Sequence, residues 1–462
     1  MSRTKIVATL GPSTSDRGTI QELVEAGADV FRQNFSHGTR ESHEELYDNV
    51  RDVSDSAAAM LDTRGPEIRV DGPEEMTLEE GSTVKVTGDG GTGSLSVDHP
   101  DMLDYLEEGD RVMVDDGRVE LEVEEAGDEA VCRVVYGGEV GEGEAVNVPG
   151  KELGLSSPME QDVEDIEFGI EKGFDFVSAS FVKTAEDVER IEEVIEENGS
   201  EMKVIAKIEH VRAAENVDEI VEAADGVMVA RGDLGVELPA SQVPTLQKRI
   251  IRKCNEAGKP VITATEMLTS MTESPRATRA EVSDVANAVL DGSDAVMLSE
   301  ETAVGEYPVE TVEFMSEVLD DVEEEWSEEL HRVSGESTDT SQTICRNIWE
   351  ASKDLELEYI AAHTTSGFTA RNIAKHRPAT PIAAFTDTEK VKRQLNLTWG
   401  VEAFRIDFPE YVDQLIEKSA RRLHEEGMVE EEDEVVFSAG TPTSVSGTTN
   451  MMEIREIGSL LD

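Results

Sequence analysis

The sequence predicts an α/β protein built on a (β/α)₈ barrel, with a small β domain inserted into it and an open α/β domain appended. Three observations carry this. Eight short apolar runs end in polar residues, and most are separated by helical patterns. Strands and helices alternating in that number indicate the barrel, whose reactive groups gather at the C-terminal strand ends. Between Gly72 and about Gly150 the text changes to short alternating strands with glycine turns. Beyond a polar stretch, Ser327 to Thr343, a second series of strands and helices begins.

The barrel strands are expected, in order, at KIVATL (Lys5 to Leu10), DVFRQNF (Asp29 to Phe35), AAAMLD (Ala57 to Asp62), FDFVSAS (Phe174 to Ser180), KVIAKIE (Lys203 to Glu209), GVMVARGD (Gly226 to Asp233), PVITATE (Pro260 to Glu266) and AVMLSE (Ala295 to Glu300). Helical patterns such as TIQELVEAG, ESHEELYDNVRDV, AEDVERIEEVIEENG and LQKRIIRKCNEAG lie between them. Gly27, Gly199 and Gly258 fall where helices need a C-cap.

The insert reads as STVKVTG, RVMVDDG, RVELEVEEAG and AVCRVVYGG. It holds Gly88, Gly90 and Gly93 in GxGxxG spacing, but no helix follows, so this is a loop and not a dinucleotide fingerprint. After the polar linker come YIAAHT, PIAAFT, VEAFRI, EVVFSAG and MMEIREI. The expected division is a barrel domain over 1–70 and 151–330, a β lid over 71–150 and a C-terminal α/β domain over 340–462. No repeat with a period of 20 to 50 residues is present.

Acidic residues number 102 and basic ones 41, a net charge of −61. The acids are spread along the whole length between regular apolar strands, which argues for a folded chain and not a disordered one. Such a surface suits concentrated salt, where screening shrinks to about 3 Å at 1 M. Nucleic acid is excluded as a partner, because phosphate binding needs a basic face. No apolar run approaches the roughly 20 residues that span a bilayer, and the apolar run in MSRTKIVATLGPS is too short for a signal peptide. Cys132, Cys254 and Cys345 are far apart and in no metal-ligand spacing, as expected of core or surface residues in a reducing cytoplasm.

The most informative stretch runs from Val204 to Pro239 and reads strand, helix, strand. Lys207 and Glu209 close the first strand, Arg231 and Asp233 the second. Residues two apart in a strand share a face, and parallel neighbours lie about 4.8 Å apart. Two carboxylates, a lysine and an arginine are therefore expected to converge, which suits a divalent metal and an anionic substrate. Arg32, Asn34 and Ser36 alternate along the second strand, followed by His37 and Gly38. The third ends LDTRGPEIR, with Asp62, Thr63, Arg64, Glu67 and Arg69, and the seventh carries Thr263 and Thr265.

RQNFSHG, LDTRGPEIR, KIEH, VARGDLGVELP, TATEMLTSM and AEVSDVANAVLDGSDAVMLSEET, in this order and spacing, resemble the pyruvate kinase family. The resemblance covers nearly the whole chain, and the acidic bias suggests a member from a halophilic archaeon. It implies a phosphotransferase of the last step of glycolysis, moving the phosphoryl group of phosphoenolpyruvate to ADP to give pyruvate and ATP, largely by positioning and charge neutralisation. Glu209 and Asp233 match the family's Mg²⁺ (or Mn²⁺) ligands. Lys207 matches the lysine that stabilises the moving phosphoryl group and the enolate, and Arg32 the phosphate-binding arginine. Thr265 falls at the proton-transfer site, and the amides of Gly232 and Asp233 form the substrate carboxylate cradle.

The resemblance further implies K⁺ on the side chains of Asn34, Ser36 and Asp62 and the carbonyl of Thr63. Glu67 agrees with the K⁺-dependent subgroup, whereas Val70 departs from its pattern. Asn34, His37 and Arg69 match nucleotide contacts under a closing lid. Glu144, Glu266 and Glu300 depart from the family's usual Lys, Gln and Gly. TTSGFT would place Thr364, Thr365, Ser366, Gly367 and Thr369 at a helix N-terminus as a phosphometabolite effector site. Phe368 and the loop TPTSVSGTTN lack the basic groups of sugar-bisphosphate binders, so the effector's identity stays open. A cytoplasmic homotetramer is the family expectation. Other phosphoenolpyruvate or enolate barrels lack the RQNFSHG and DTRGPEIR set and the lid, and a catalytically dead paralogue would have lost Lys207, Arg32 or a metal acid.

Overall fold

In the computed structural model, eight strands close a parallel barrel in sequence order: Lys5–Leu10, Val30–Asn34, Ala58–Asp62, Phe176–Ala179, Lys203–Ile208, Gly226–Ala230, Val261–Ala264 and Ala295–Leu298. Residues 2–72, 75–88, 93–115, 117–151, 153–155, 157–324, 339–440 and 448–461 are described. The barrel is filled by alternate strand residues, among them Val7, Val30, Met60, Ile205, Met228, Ile262 and Met297. Their neighbours Ile6, Ala8, Phe31, Leu61 and Val177 face the helical jacket, as the two-residue period of a strand requires. Helices end as expected on left-handed glycines at Gly27 (φ 112°) and Gly258 (φ 70°). Gly199 lies one residue beyond the actual cap, Asn198.

A repeated device closes the barrel floor. Asp29, Asp175, Asp225 and Asp294 each stand one residue ahead of an even-numbered barrel strand. Their amides donate to the carbonyls of Ile6, Ala59, Val204 and Val261 at 3.0, 2.9, 2.9 and 2.9 Å. Their carboxylates accept the amides of those same residues at 2.9, 3.0, 3.1 and 3.0 Å. Backbone groups near the start of each odd strand are thereby satisfied inside the protein. The four positions are unevenly spaced in the chain, so the repeat is invisible to a search by period.

Each of these aspartates also meets a cation. Lys5 (3.6 Å) and Lys203 (3.0 Å) serve Asp29 and Asp225 from within the barrel. Arg393 and Arg377 reach Asp175 and Asp294, both at 2.9 Å, from the C-terminal part of the chain. That part also inserts Leu397 into the barrel's inner cluster. Its five-stranded sheet runs in the order Val401–Arg405, Ile382–Thr386, Tyr359–His363, Glu434–Ala439 and Met451–Glu456, with only the last strand antiparallel.

Between the third and fourth barrel strands lies a seven-stranded sheet with a separate two-stranded ribbon. All four strands expected there are found. Ile68–Arg69, Glu75–Leu78, Ser94–Ser96, Gly138–Gly141 and Ala145–Asn147 were not anticipated, being two to four residues long and too short to show a period. Of the GxGxxG match, Gly90 lies outside the described residues, and Gly93 passes directly into a strand. Most of the polar linker lies outside the described residues too. Its last residues, Thr340 to Thr343, open the helix Thr340–Asp354, capped by Asp339, so they are not linker. Among the described residues no helix is long and apolar enough to cross a membrane. The three cysteines are buried and unbridged, and burial pushes the Cys132 and Cys345 thiols up to about 12.

Arg377 is 1% exposed and sits at φ 50°. It donates to Asp294, to Asn255 Oδ1 at 3.0 Å and to the Gly292 carbonyl at 2.6 Å, and lies 4.9 Å over the Trp399 ring. Removing one partner of such a buried pair strands the other charge. Arg377→Met is expected to lower unfolding free energy by about 3–5 kcal/mol in urea titrations; a loss below about 1 kcal/mol would contradict this role.

Candidate active site

Strand register brings the charged residues together at the C-terminal mouth. Asn34 pairs with Asp62 across the second and third strands. From the second strand, Arg32 Nε lies 2.5 Å from Asp62 Oδ2, and Nη1 donates to Thr9 Oγ1 at 3.1 Å. From the fifth, Lys207 Nζ meets Asp62 Oδ1 at 3.2 Å, Ser180 Oγ at 2.8 Å and Glu209 Oε1 at 2.6 Å. Burial raises the Asp62 pKa, but Arg32 and Lys207 outweigh it and hold the carboxyl below its usual range. For Lys207 burial works against the charge, and Asp62 and Glu209 override it, so the ammonium titrates above its ordinary value. Both groups stay ionised through neutral pH.

Ser180 was missed from the sequence. It ends the fourth apolar run, and alternation alone could have placed it at the mouth. Its hydroxyl donates to the Thr63 carbonyl at 2.7 Å and also lies 3.2 Å from Asp62 Oδ1. Glu209 follows the fifth strand directly, and its second oxygen accepts the Phe181 amide at 2.8 Å.

The sixth strand differs from expectation. It stops at Ala230, and Arg231–Glu237 is helical. Residues two apart on a helix do not share a face, so Arg231 and Asp233 diverge. Asp233 lines the mouth cavity with Lys207. Arg231 turns to the end of the seventh strand, donating to the carbonyls of Ala264 (3.2 Å), Thr265 (2.5 Å) and Glu266 (3.1 Å), and to Asp284 (2.5 Å). Thr265 and Glu266 both have positive φ, 65° and 54°. Left-handed non-glycine residues cost about 1–3 kcal/mol each, and the Arg231 fork over-determines them.

The Gly232 amide donates to Thr265 Oγ1 at 2.7 Å. A Cβ at Gly232 would meet that oxygen at 3.5 Å, an ordinary contact, so packing within the protein does not demand the glycine. Thr263, on the seventh strand, is fully buried, with its hydroxyl on Ser293 at 2.7 Å.

A cavity of about 770 Å³ opens over this network, lined by Arg32, Asn34, His37, Lys207, Asp233, Thr265 and, from the last strand end, Ser299 and Glu300. Asn34 Oδ1 accepts the Ser36 amide at 3.1 Å. Ser36, Thr63 and Arg69 are not part of the cavity wall. Arg69 donates to the Gly143 carbonyl at 2.6 Å and pairs with Glu67. Burial first, then Arg69 and Arg32, depress the His37 pKa. Oε2 of Glu144 is buried without a hydrogen-bond partner among the described residues, while Glu266 is exposed.

Family models for the barrel domain and the alpha/beta domain of pyruvate kinase match residues 1–312 and 342–455. The chain belongs to the pyruvate kinase family. A pyruvate kinase of Lactobacillus delbrueckii subsp. bulgaricus is 43% identical, covering 100% of this chain and 82% of the relative. That of Clostridium acetobutylicum is 41% identical, covering 99% and 100%. A crystal structure of a pyruvate kinase from Cryptosporidium parvum superposes with TM-score 0.92 at 35% identity, covering 99% of this chain and 96% of that one. The enzyme is thus a phosphotransferase acting in the family reaction, between phosphoenolpyruvate and ADP.

In this pyruvate kinase the turn Thr364 to Gly367 precedes the helix Phe368–Ala374. Thr364, Gly367 and Thr369 are buried, and the Thr369 hydroxyl is already 2.7 Å from Thr449 Oγ1. Thr365 and Ser366 are half-buried. Residues 441–447 of the facing loop lie outside the described residues.

Arg231→Lys keeps the charge but loses the planar fork. Turnover is expected to fall about 10²-fold as Thr265 shifts, with the fold retained by circular dichroism. Wild-type turnover in that variant would refute the positioning role.

Proposed function

We propose that phosphoryl transfer takes place over Lys207, between Arg32 on one side and Glu209 and Asp233 on the other. The observation that carries this is Lys207, held charged by Asp62 and Glu209 beneath the mouth cavity. Its raised pKa makes it a fixed positive charge and not a proton shuttle, suited to the charge that develops on the moving phosphoryl group and the enolate oxygen. Arg32, anchored by Asp62 and Thr9, presents its guanidinium to the phosphate. Binding of the substrate carboxylate to the amides of Gly232 and Asp233 requires the Thr265 hydroxyl to leave the Gly232 amide. That hydroxyl then faces the enolate and relays a proton from water.

Three carboxylates, Asp62, Glu209 and Asp233, stand against two cations, Arg32 and Lys207. The surplus of hard oxygen donors fits Mg²⁺ or Mn²⁺ on Glu209 and Asp233, with substrate oxygens and water completing the shell. The divalent ion supplies neutralisation of phosphate oxygens when bound. Asp62 Oδ1 and the Thr63 carbonyl both lie within reach of the Ser180 hydroxyl, so these oxygens converge. With Asn34 and Ser36 they would be the donor set for K⁺, which would supply a fixed positive charge near the substrate phosphate.

Asn34, His37 and Arg69 would take the nucleotide, with 71–150 closing as a lid over the barrel of 1–70 and 151–330. The acid at Glu144, one of whose oxygens is buried without a partner among the described residues, supports a weakened lid contact. Residues 340–462 would form a regulatory domain taking a phosphometabolite at Thr364, Thr365, Ser366, Gly367 and Thr369. The Thr369 hydroxyl bond to Thr449 directs that contact to Thr365, Ser366 and the backbone. The net charge of −61 supports a salt-adapted enzyme, and the family reading is a cytoplasmic homotetramer.

In a coupled assay of pyruvate formation from phosphoenolpyruvate and ADP, Lys207→Met should lose about 10²–10³-fold in kcat with substrate binding retained; near-normal turnover would refute its role. A second test replaces KCl stepwise by tetraalkylammonium chloride at equal molar ionic strength. Turnover should collapse as K⁺ is removed, and the unfolding midpoint and tetramer mass by light scattering should fall only when total salt is diluted. Unchanged turnover would sink the K⁺ site, and equal midpoints in dilute and molar salt would sink the saline reading.

A further inference from the structure

A second cavity, about 10 Å³, lies between the barrel floor and the C-terminal part of the chain. That is room for about one water-sized sphere. Its wall carries Lys259 from the barrel side and Arg371 and Lys375 from the other, with Asp294 and Thr398 beside them. Arg371 lies in the helix Phe368–Ala374 and Lys375 caps it, so the two are four apart and share a face. Gly258 lets this helix settle there: a Cβ would stand 3.1 Å from Asn372 Oδ1 and 3.4 Å from Lys375 Cδ, at φ 70°.

The charges around this cavity do not balance. Lys375 is 6% exposed. Among the described residues neither Lys375 nor Arg371 has a side-chain hydrogen bond or ion pair. Lys259 Nζ donates to two carbonyls, of Glu222 and Ala224, both at 2.5 Å, and not to a carboxylate. Two of the nearby acids are already engaged; of the others, Asp339, felt by Lys375, caps the helix Thr340–Asp354, and Glu192, felt by Lys259, makes no ion pair among the described residues. Asp294 holds Arg377, the Trp399 amide and the Val261 amide. Asp225, the acid felt by Arg371, holds Lys203 and the Val204 amide. A chain with 102 acidic and 41 basic residues thus leaves two neighbouring cations, buried Lys375 and half-buried Arg371, without an ion-pair partner among the described residues at this interface. Burial disfavours the charge on Lys375, Arg371 and Lys259 alike.

We propose that this cavity is an anion site that holds one chloride-sized inorganic anion between Lys375, Arg371 and Lys259. The volume admits a monatomic ion and excludes a tetrahedral phosphate. The anion offsets the repulsion between the two cations four apart and ties the helix Phe368–Ala374 to the turn that leads into the seventh barrel strand. The Arg371 guanidinium also lies against Gly367, where a Cβ would come within 2.4 Å of Nη1. Occupancy therefore stiffens the turn at Thr364 to Gly367 as well.

The test uses the full-length protein at constant K⁺ and ionic strength, with gluconate replaced stepwise by chloride. A ligand that binds only the folded state raises its midpoint with concentration. Wild-type Tm is expected to rise by about 2 °C or more across the series, and Lys375→Met to lose most of that rise. Arg371→Met serves as a second variant should the first not fold. Crystals grown in bromide should show an anomalous peak between Lys375 Nζ and the Arg371 guanidinium. A wild-type Tm that does not respond to chloride, a variant that keeps the full rise, or a bromide-free cavity would each overturn the site.

Discussion

The structure turns on a buried chain of charges at the barrel mouth, Arg32–Asp62–Lys207–Glu209. Desolvating an ion costs several kcal/mol unless a partner and further hydrogen bonds answer it. Asp62 is wholly buried and is answered by Arg32, Lys207 and the Ser180 hydroxyl at once. Asp62 and these three partners stand on, or directly after, four different strands, so the chain of charges exists only when the barrel is closed in one register. A slip by one residue in any of these strands would turn its charged group from the barrel interior to the helical jacket.

The two ends of the barrel divide stability from chemistry. At the floor, four aspartates close matched backbone rings, and two of them fasten the C-terminal sheet through Arg393 and Arg377. At the mouth the backbone carries left-handed residues at Phe181, Thr265 and Glu266. These are held by side chains that stand just past the ends of neighbouring strands, Glu209 for the first and Arg231 for the other two. Strain of that kind persists where the surroundings over-determine it, and here the surroundings are the site itself.

Charge is distributed by the same logic. The excess of acids is mostly a surface property, while the cations are few and many are placed where they hold something: Arg32 and Lys207 at the mouth, Arg377 and Arg393 at the floor. Their scarcity makes an unpaired cluster at the domain interface informative, because a chain this acidic has carboxylates to spare for any cation that needs one.

Much was legible in the text. The eight barrel strands, the five C-terminal strands and four lid strands could be read because apolar runs of four or more residues show their period. The very short lid strands could not. Lys207, Glu209, Asp62 and Arg32 were legible because they stand at or beside strand ends, where alternation fixes direction. Arg231 was misplaced because where a strand stops is decided by neighbours, not by the residues themselves. GVMVARGD reads as a single strand, yet it breaks at Ala230, so Asp233 enters the cavity and Arg231 becomes a brace. The sequence by itself determined the fold class, the family and the identity of the charged groups, since these rest on composition and order along the chain. Only the tertiary structure decided which of those charges meet, that Ser180 sits among them, that the floor aspartates form a fourfold set, and that Arg371 and Lys375 lack ion-pair partners among the described residues. Each of these depends on distances between residues far apart in the chain, and those are set by barrel closure and domain docking.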